Sequence, residues 1–163
     1  MAKRIMMVLT PYTGADFTRA ALDVARAARQ SNGRVRIVYV SPMPRARVDG
    51  FDRVVADTDR EMARITAGAE ERLRVLASHL DGVPVEQVVR FGRLRREMAI
   101  EADAFGADLV ALVAPARPAM RQRILQFWLG RLAAPSRVLM ILLPPIPRPR
   151  DRSREGLAPA TLA

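Results

Sequence analysis

The stretch that decides the fold is residues 107–143, ADLVALVAPARPAMRQRILQFWLGRLAAPSRVLMILL. Residues 107–113 form a short apolar run typical of a buried parallel strand, and residues 137–143 form a second run of the same kind. Residues 117–132, between these runs, have the length of a helix. A strand, a helix and a strand in this order form a βαβ unit, in which the two strands are parallel. The stretch therefore predicts an α/β sheet.

The same alternation continues through the preceding part of the chain. Residues 5–9, 35–40 and 85–90 are strand-like, and a long helix is predicted from about Asp52 to Leu80. Two shorter helices are indicated by apolar residues spaced three and four apart: Phe17, Ala20, Ala21, Val24, Ala25 and Ala28 in one, and Leu94, Met98, Ala102 and Phe105 in the other. Five strands alternating with four helices predict a three-layer α/β sandwich around a doubly wound, mostly parallel sheet.

The composition changes after this region. Residues 144–163, PPIPRPRDRSREGLAPATLA, contain 5 prolines and little apolar surface. Such a segment is typical of an extended or flexible tail. We therefore divide the chain into an α/β domain at residues 1–143 and a Pro/Arg-rich tail at residues 144–163.

The inventory of reactive side chains is small. The chain has no cysteine and a single histidine, His79, so neither a thiolate site nor a multi-histidine metal site is expected. On the long helix, Glu70, Glu71, Arg72 and Arg74 are expected to form ion pairs on a solvated face. The sequence contains no recognisable combination of a general acid, a general base and a nucleophile. We therefore predict no enzyme activity, no catalytic residues, no cofactor and no metal.

The N-terminus MAKRIMMVLTP superficially resembles a signal peptide because basic residues precede an apolar run. That run, residues 5–9, is shorter than the roughly 7–15 residues of a signal-peptide core. No run approaches the ~18 apolar residues that a membrane helix needs. A cytoplasmic protein without a membrane span is therefore expected.

The net charge of +10 is unevenly distributed. Between Leu109 and Arg150 there are seven arginines and no acidic residue. The arginines within the predicted last helix form a candidate anion or partner surface: Arg117, Arg121, Arg123 and Arg131. Such a surface attracts nucleic acid, anionic lipid or acidic protein. No interleaving of basic and aromatic residues accompanies it, which favours an ordinary soluble surface over a nucleic-acid site.

A ligand of an open α/β sheet is expected beyond the strand at residues 107–113. Anions bind there through backbone N–H groups that glycine lets them approach closely. This chain instead has the loop APARP at residues 114–118, where Pro115 and Pro118 have no N–H. Tyr12 and Thr13 would lie at the mouth of the same crevice, where a turn and a helix cap explain them. The loop is thus poorly suited to phosphate.

Four phrases, in this order and spacing, resemble the universal stress protein family: RIMMVL at residues 4–9, VVRFG at 88–92, FGADLVAL at 105–112 and APSRVLMI at 134–141. The resemblance covers roughly residues 3–143 and implies the family's α/β fold. Many members bind ATP through a glycine motif, G-x2-G-x9-G-S/T. Its positions fall here at Val113, Ala116, Gln126 and Phe127, and the acidic residue that members commonly carry after the first strand falls at Thr10.

All of these positions depart from the family's pattern, which implies a member that does not bind ATP. Arg117, Arg121 and Arg123 would still attract phosphate by charge, so nucleotide binding through a divergent loop remains an alternative. Binding to nucleic acid or to another anionic surface is a further alternative.

The last strand is uniformly apolar and is predicted to lie at an edge of the sheet, where it needs a partner. Family members often dimerise through this strand. We therefore predict a homodimer interface at Val138, Leu139, Met140, Ile141 and Leu142, with coverage of the edge by the tail as the alternative. The resulting hypothesis is a non-enzymatic, homodimeric protein of stress response or regulation. Its basic last helix and tail would face a protein partner.

Overall fold

The computed structural model describes residues 3–13, 17–48, 50–51, 54–113 and 139–143. The strands in these residues are β1 (Arg4–Leu9), β2 (Arg34–Ser41), β3 (Arg47–Val48), β4 (Val54–Ala56), β5 (Val85–Phe91), β6 (Leu109–Val113) and β7 (Leu139–Leu143). The helices are α1 (Thr18–Gln30), α2 (Thr58–Ser78) and α3 (Leu94–Phe105).

The main sheet has five strands in the order β5-β2-β1-β6-β7, and every neighbouring pair is parallel. The chain builds outward from β1 to β2 and β5 on one side, then crosses to β6 and β7 on the other side. This is the doubly wound α/β architecture that the sequence predicts. The predicted fold class is therefore confirmed.

Two apolar cores cover the two faces of the sheet. In β1, all five residues after Arg4 are buried, as expected for a parallel strand with helices on both faces. Alternate residues of β1 enter opposite cores: Met7 packs with α1 and α2, whereas Met6 and Val8 pack with α3. Small residues on α1, such as Ala21, Ala25 and Ala28, are fully buried.

The long helix begins later than the sequence analysis predicts. Helix α2 starts at Thr58 rather than near Asp52, and Val54–Ala56 forms a short antiparallel pair with Arg47–Val48. The physical reason is Asp57, whose side chain accepts a hydrogen bond from the Arg60 N–H at 2.8 Å and caps the helix. The β-branched valines that precede this cap favour an extended conformation.

Other boundaries agree closely with the prediction. Helix α3 ends at Phe105, and Gly106 follows it in a left-handed conformation with φ 62°, as its C-cap role requires. Strand β7 is described from Leu139 rather than from Arg137, and it occupies one end of the sheet order within the described residues. The predicted helix at residues 117–132 and the predicted tail at 144–163 lie outside the described residues.

Candidate functional site at the carboxyl edge of the sheet

The strand order places a crevice at the carboxyl ends of β1 and β6. These two strands are neighbours, with Val8 paired to Leu112, but the chain leaves them toward opposite sides of the sheet. In open α/β sheets, ligands bind outside the carboxyl ends of the strands at this point of reversal. Thr10 follows β1 and Val113 ends β6, so these two residues mark the described part of the crevice.

The turn after β1 is closed by its own hydroxyl groups. Thr13 Oγ1 accepts a hydrogen bond from the Thr10 N–H at 2.9 Å, and the two hydroxyl oxygens lie 3.3 Å apart. Thr10 Oγ1 also accepts from the Tyr12 N–H at 3.3 Å. Both threonines are buried. Their polar groups are thus already satisfied without a ligand.

This arrangement corrects the predicted role of Thr13. We expected Thr13 to cap the first helix, but α1 begins at Thr18, and Phe17 at its N-cap position makes no side-chain hydrogen bond to the helix. The Thr13 hydroxyl faces the β1 turn instead.

On the β6 side, Val113 ends the strand and is 3% exposed. It stands where the family resemblance places the first glycine of the ATP motif, and it pairs with Leu143 of β7. A buried valine at this position fills space that a glycine would leave open. The other motif positions, Ala116, Gln126 and Phe127, lie outside the described residues.

Arg72 is a member of this site that the sequence analysis missed. It was grouped with Glu70, Glu71 and Arg74 as a solvated helix face. One of its nitrogens instead donates to the Thr13 carbonyl oxygen at 2.8 Å, and its guanidinium lies 5.7 Å from the centre of the Tyr39 ring. The prediction does hold for Arg74 and Glu71, which form an ion pair on the exposed surface of α2.

The sequence signal for this role of Arg72 is its position next to the buried residues of α2. Arg72 precedes Leu73, which is buried, and Ala69 is buried one turn earlier. A long side chain beside such a stripe reaches over the edge of the apolar face rather than into open water. The partner of Arg72, however, is a backbone oxygen 59 residues away, which no local pattern reveals.

A buried carboxylate, Glu101, lies on the face of the sheet that α3 covers, opposite α1 and α2, and it forms ion pairs with arginines. Its side chain is 1% exposed, and it accepts from Arg36 at 3.1 Å and from Arg90 Nε at 2.5 Å. Arg36 also contacts Glu86 at 2.6 Å and stacks on Phe105, with 4.5 Å to the ring centre. This network ties α3 to β2 and β5.

No buried side-chain nitrogen or oxygen in the described residues lacks a hydrogen-bond partner. Within the same residues, no group of three or more His, Cys, Asp or Glu side chains is placed to hold a metal ion. His79, the single histidine, caps the C-terminal end of α2. In the described part of the chain, no helix has the length and hydropathy needed to cross a membrane.

The remaining predicted site residues divide into two groups. Leu139, Met140, Ile141 and Leu142 lie in β7, at the end of the sheet order where the dimer interface was predicted. The others lie outside the described residues: Val138, Arg117, Arg121, Arg123 and Arg131. Their roles therefore stay predictions.

Comparisons with known proteins agree with the fold and the chain order. A model of the universal stress protein family matches residues 1–134. The chain is similar to Universal stress protein G of Shigella flexneri, with 30% identity over 114 residues, which are 69% of this chain and 78% of that protein.

Two solved structures share the fold. A universal stress protein in complex with cAMP aligns with a TM-score of 0.55 and 16% identity, covering 88% of this chain and 98% of that one. A universal stress protein from Archaeoglobus fulgidus in complex with dAMP aligns with a TM-score of 0.51 and 14% identity, covering 86% and 99%. The family resemblance in the sequence is thus confirmed, and this chain belongs to the universal stress protein family.

Proposed function

We propose that this chain is a cytoplasmic, non-enzymatic and homodimeric stress-response protein that acts through protein contacts without binding ATP. The observation that carries the proposal is the closed turn after β1. There, Thr10 stands where relatives commonly carry an acidic residue, and its hydroxyl is engaged by Thr13 and by the Tyr12 N–H. A ligand at this end of the crevice would have to replace those bonds.

The loop beyond β6 supports the same conclusion from its sequence. Pro115 and Pro118 supply no N–H, and Ala116 stands at the second glycine position. Charge-assisted hydrogen bonds are worth roughly 1.5–3 kcal/mol each. Loss of two of them weakens binding by about two to four orders of magnitude.

The absence of catalysis is supported by the contacts that the titratable groups already make. Among the described residues, the buried carboxylate Glu101 is held by Arg36 and Arg90, away from the crevice. The described part of the crevice contains two threonine hydroxyls, a valine side chain and Arg72. This set contains no general base to activate a nucleophile.

Homodimer formation is supported by the position of β7. Its sequence LMILL is wholly apolar, and β6 pairs with it on one side from Leu109↔Leu139 to Val113↔Leu143. A long apolar strand at the end of a sheet is prone to pair with another strand. In the proposal, that strand is the β7 of a second copy.

Sedimentation velocity at micromolar concentration tests this part of the proposal. Wild-type protein is expected to sediment as a dimer, and Met140→Lys with Ile141→Lys as a monomer, because charge on an edge strand opposes pairing. Ile100→Lys is the matched control, since Ile100 is an exposed apolar residue on α3. A wild-type monomer, or a dimer that survives the double substitution, contradicts the proposed interface.

A second candidate function is nucleotide binding through a divergent loop. It is favoured by Arg72, whose guanidinium lies beside the crevice, and by the cAMP and dAMP complexes of the two structural relatives. Calorimetric titration with ATP and AMP, together with extraction of co-purified nucleotide, separates the two candidates. Binding that Arg72→Gln abolishes supports the second candidate, whereas no heat and no extracted nucleotide support the first.

A further inference from the structure

A pocket of about 540 Å³ lies at the amino edge of the sheet, opposite the edge that carries the crevice. Ile5 near the start of β1 pairs with Leu109 at the start of β6, and both residues line the pocket. The end of α1 contributes Ala27 and residues 29–32 to the lining. Small-molecule sites have volumes of roughly 300–1,000 Å³. The pocket is therefore large enough for a small ligand.

The turn that follows α1 holds one side of the pocket in place. Asn32 adopts a left-handed conformation with φ 47°, and the next residue, Gly33, packs against the backbone of Lys3. A Cβ at Gly33 would lie 2.3 Å from the Lys3 carbonyl oxygen, so this contact requires glycine. The same carbonyl oxygen accepts from the Arg34 N–H at 3.0 Å. The backbone of Lys3, which also lines the pocket, is thus held beside the end of α1.

The carbonyl oxygens at the end of α1 already have donors within the chain. Ser31 donates to the Ala27 oxygen through its N–H at 3.2 Å and through its hydroxyl at 2.9 Å. The Gly33 N–H donates to the Ala28 oxygen at 2.8 Å. These oxygens need no donor from a ligand, so the side chains of the lining decide which ligand fits.

The charged side chains that line the pocket are both positive. Lys3 and Arg29 are exposed, and among the described lining residues none is acidic. Arg29 Nε donates to the backbone carbonyl oxygen of Asp81 at 3.1 Å, which orients the guanidinium. Asp108, which precedes β6, accepts from the Arg4 N–H at 2.8 Å. The lining is thus complementary to an anion rather than to a cation.

The apolar part of the lining narrows the class of anion. Ile5 belongs to the core on this face of the sheet, and Ala27 and Leu109 pack against that core. The negative end of the α1 dipole disfavours a doubly charged ligand, and the backbone N–H groups that bind phosphate are found at the opposite end of a helix. A single negative charge attached to a hydrocarbon chain matches the lining better than a phosphate does.

We propose that this amino-edge pocket binds a small monocarboxylate with an apolar chain. The Lys3 ammonium pairs with the carboxylate, and the chain lies against Ile5, Ala27 and Leu109. The neighbouring side-chain amide of Asn32 is a further donor to the carboxylate. The site uses neither the crevice between β1 and β6 nor the β7 interface, so it goes beyond the proposed function and does not rest on it.

The test is titration of isotope-labelled protein with octanoate, followed through the amide chemical shifts by NMR. Octanoate should bind with a Kd of about 1 mM or tighter. Octylammonium has the same chain with the opposite charge and should give no saturable shifts at the pocket, and neither should inorganic phosphate. Saturable shifts with octanoate are expected at the residues of the lining: Lys3, Ile5, Gln30, Ser31, Asn32 and Leu109.

A charge variant tests the role of Lys3. Lys3→Gln should weaken octanoate binding about threefold to fivefold, because an exposed ion pair contributes little more than that. Arg19→Gln is the matched control, since it removes an exposed cation at the start of α1, whereas the pocket lies at the end of that helix. The control should leave the Kd unchanged.

A size variant tests the space in the pocket. Ala27→Leu should weaken binding by about tenfold or more, because the larger side chain occupies the volume that the ligand needs. Ala77→Leu makes the same enlargement at a partly buried position of α2 and should not change the Kd. Circular dichroism melting of every variant shows that a loss of binding is not a loss of folding.

Three results overturn the proposal. The first is the absence of saturable shifts at the pocket up to about 10 mM octanoate. The second is equal binding of octylammonium, which would show that the positive lining does not select the ligand. The third is octanoate binding that neither Lys3→Gln nor Ala27→Leu weakens, which would place the ligand elsewhere on the protein.

Discussion

The carboxyl edge of the sheet has two unlike halves. Between β1 and β6, Thr10, Thr13 and Val113 are buried, and Thr10 and Thr13 bond to each other. Beyond β2 and β5, Met43, Phe51 and a set of arginines are exposed. In this fold, the first half is the usual ligand position. The two parts of the carboxyl edge thus differ in how far their side chains are exposed.

The largest expected contrast between the halves is in their contribution to stability. Leu9→Ala should lower the free energy of unfolding by about 3 kcal/mol, because Leu9 is fully buried beneath the closed turn. Tyr12→Ala, three residues later and 53% exposed, should change it by less than about 0.5 kcal/mol. Urea unfolding measures both, and similar losses in the two variants would remove the proposed contrast.

The open half depends on a buried ion network for its support. Glu101→Gln should cost about 2 kcal/mol in urea unfolding, because it weakens the bonds to Arg36 and Arg90 that tie α3 to the sheet. Glu71→Gln is the matched control, since its pair with Arg74 is exposed and should contribute almost nothing. If the two variants unfold alike, the network does not support that half.

A smaller effect is expected from opening the closed turn. Thr13→Val keeps the shape but removes the hydroxyl that accepts from the Thr10 N–H, so about 1 kcal/mol should be lost. Thr18→Val, at the start of α1, is a control that removes a hydroxyl outside the turn. A neutral Thr13→Val would mean that its hydrogen bonds do not stabilise the crevice.

Most of the sheet could be predicted from the sequence, because apolar runs such as residues 5–9 must be buried on both faces. The start of α2 could not, because the hydrogen bond from the Arg60 N–H to the Asp57 side chain determines where the helix begins. The role of Arg72 depends on a contact with Thr13 that is distant in sequence.

The most direct measurement is calorimetric titration of the purified protein with ATP. The account predicts no heat of ATP binding up to millimolar nucleotide. ATP binding at micromolar Kd that Arg72→Gln abolishes would show that the crevice binds nucleotide and would contradict the account.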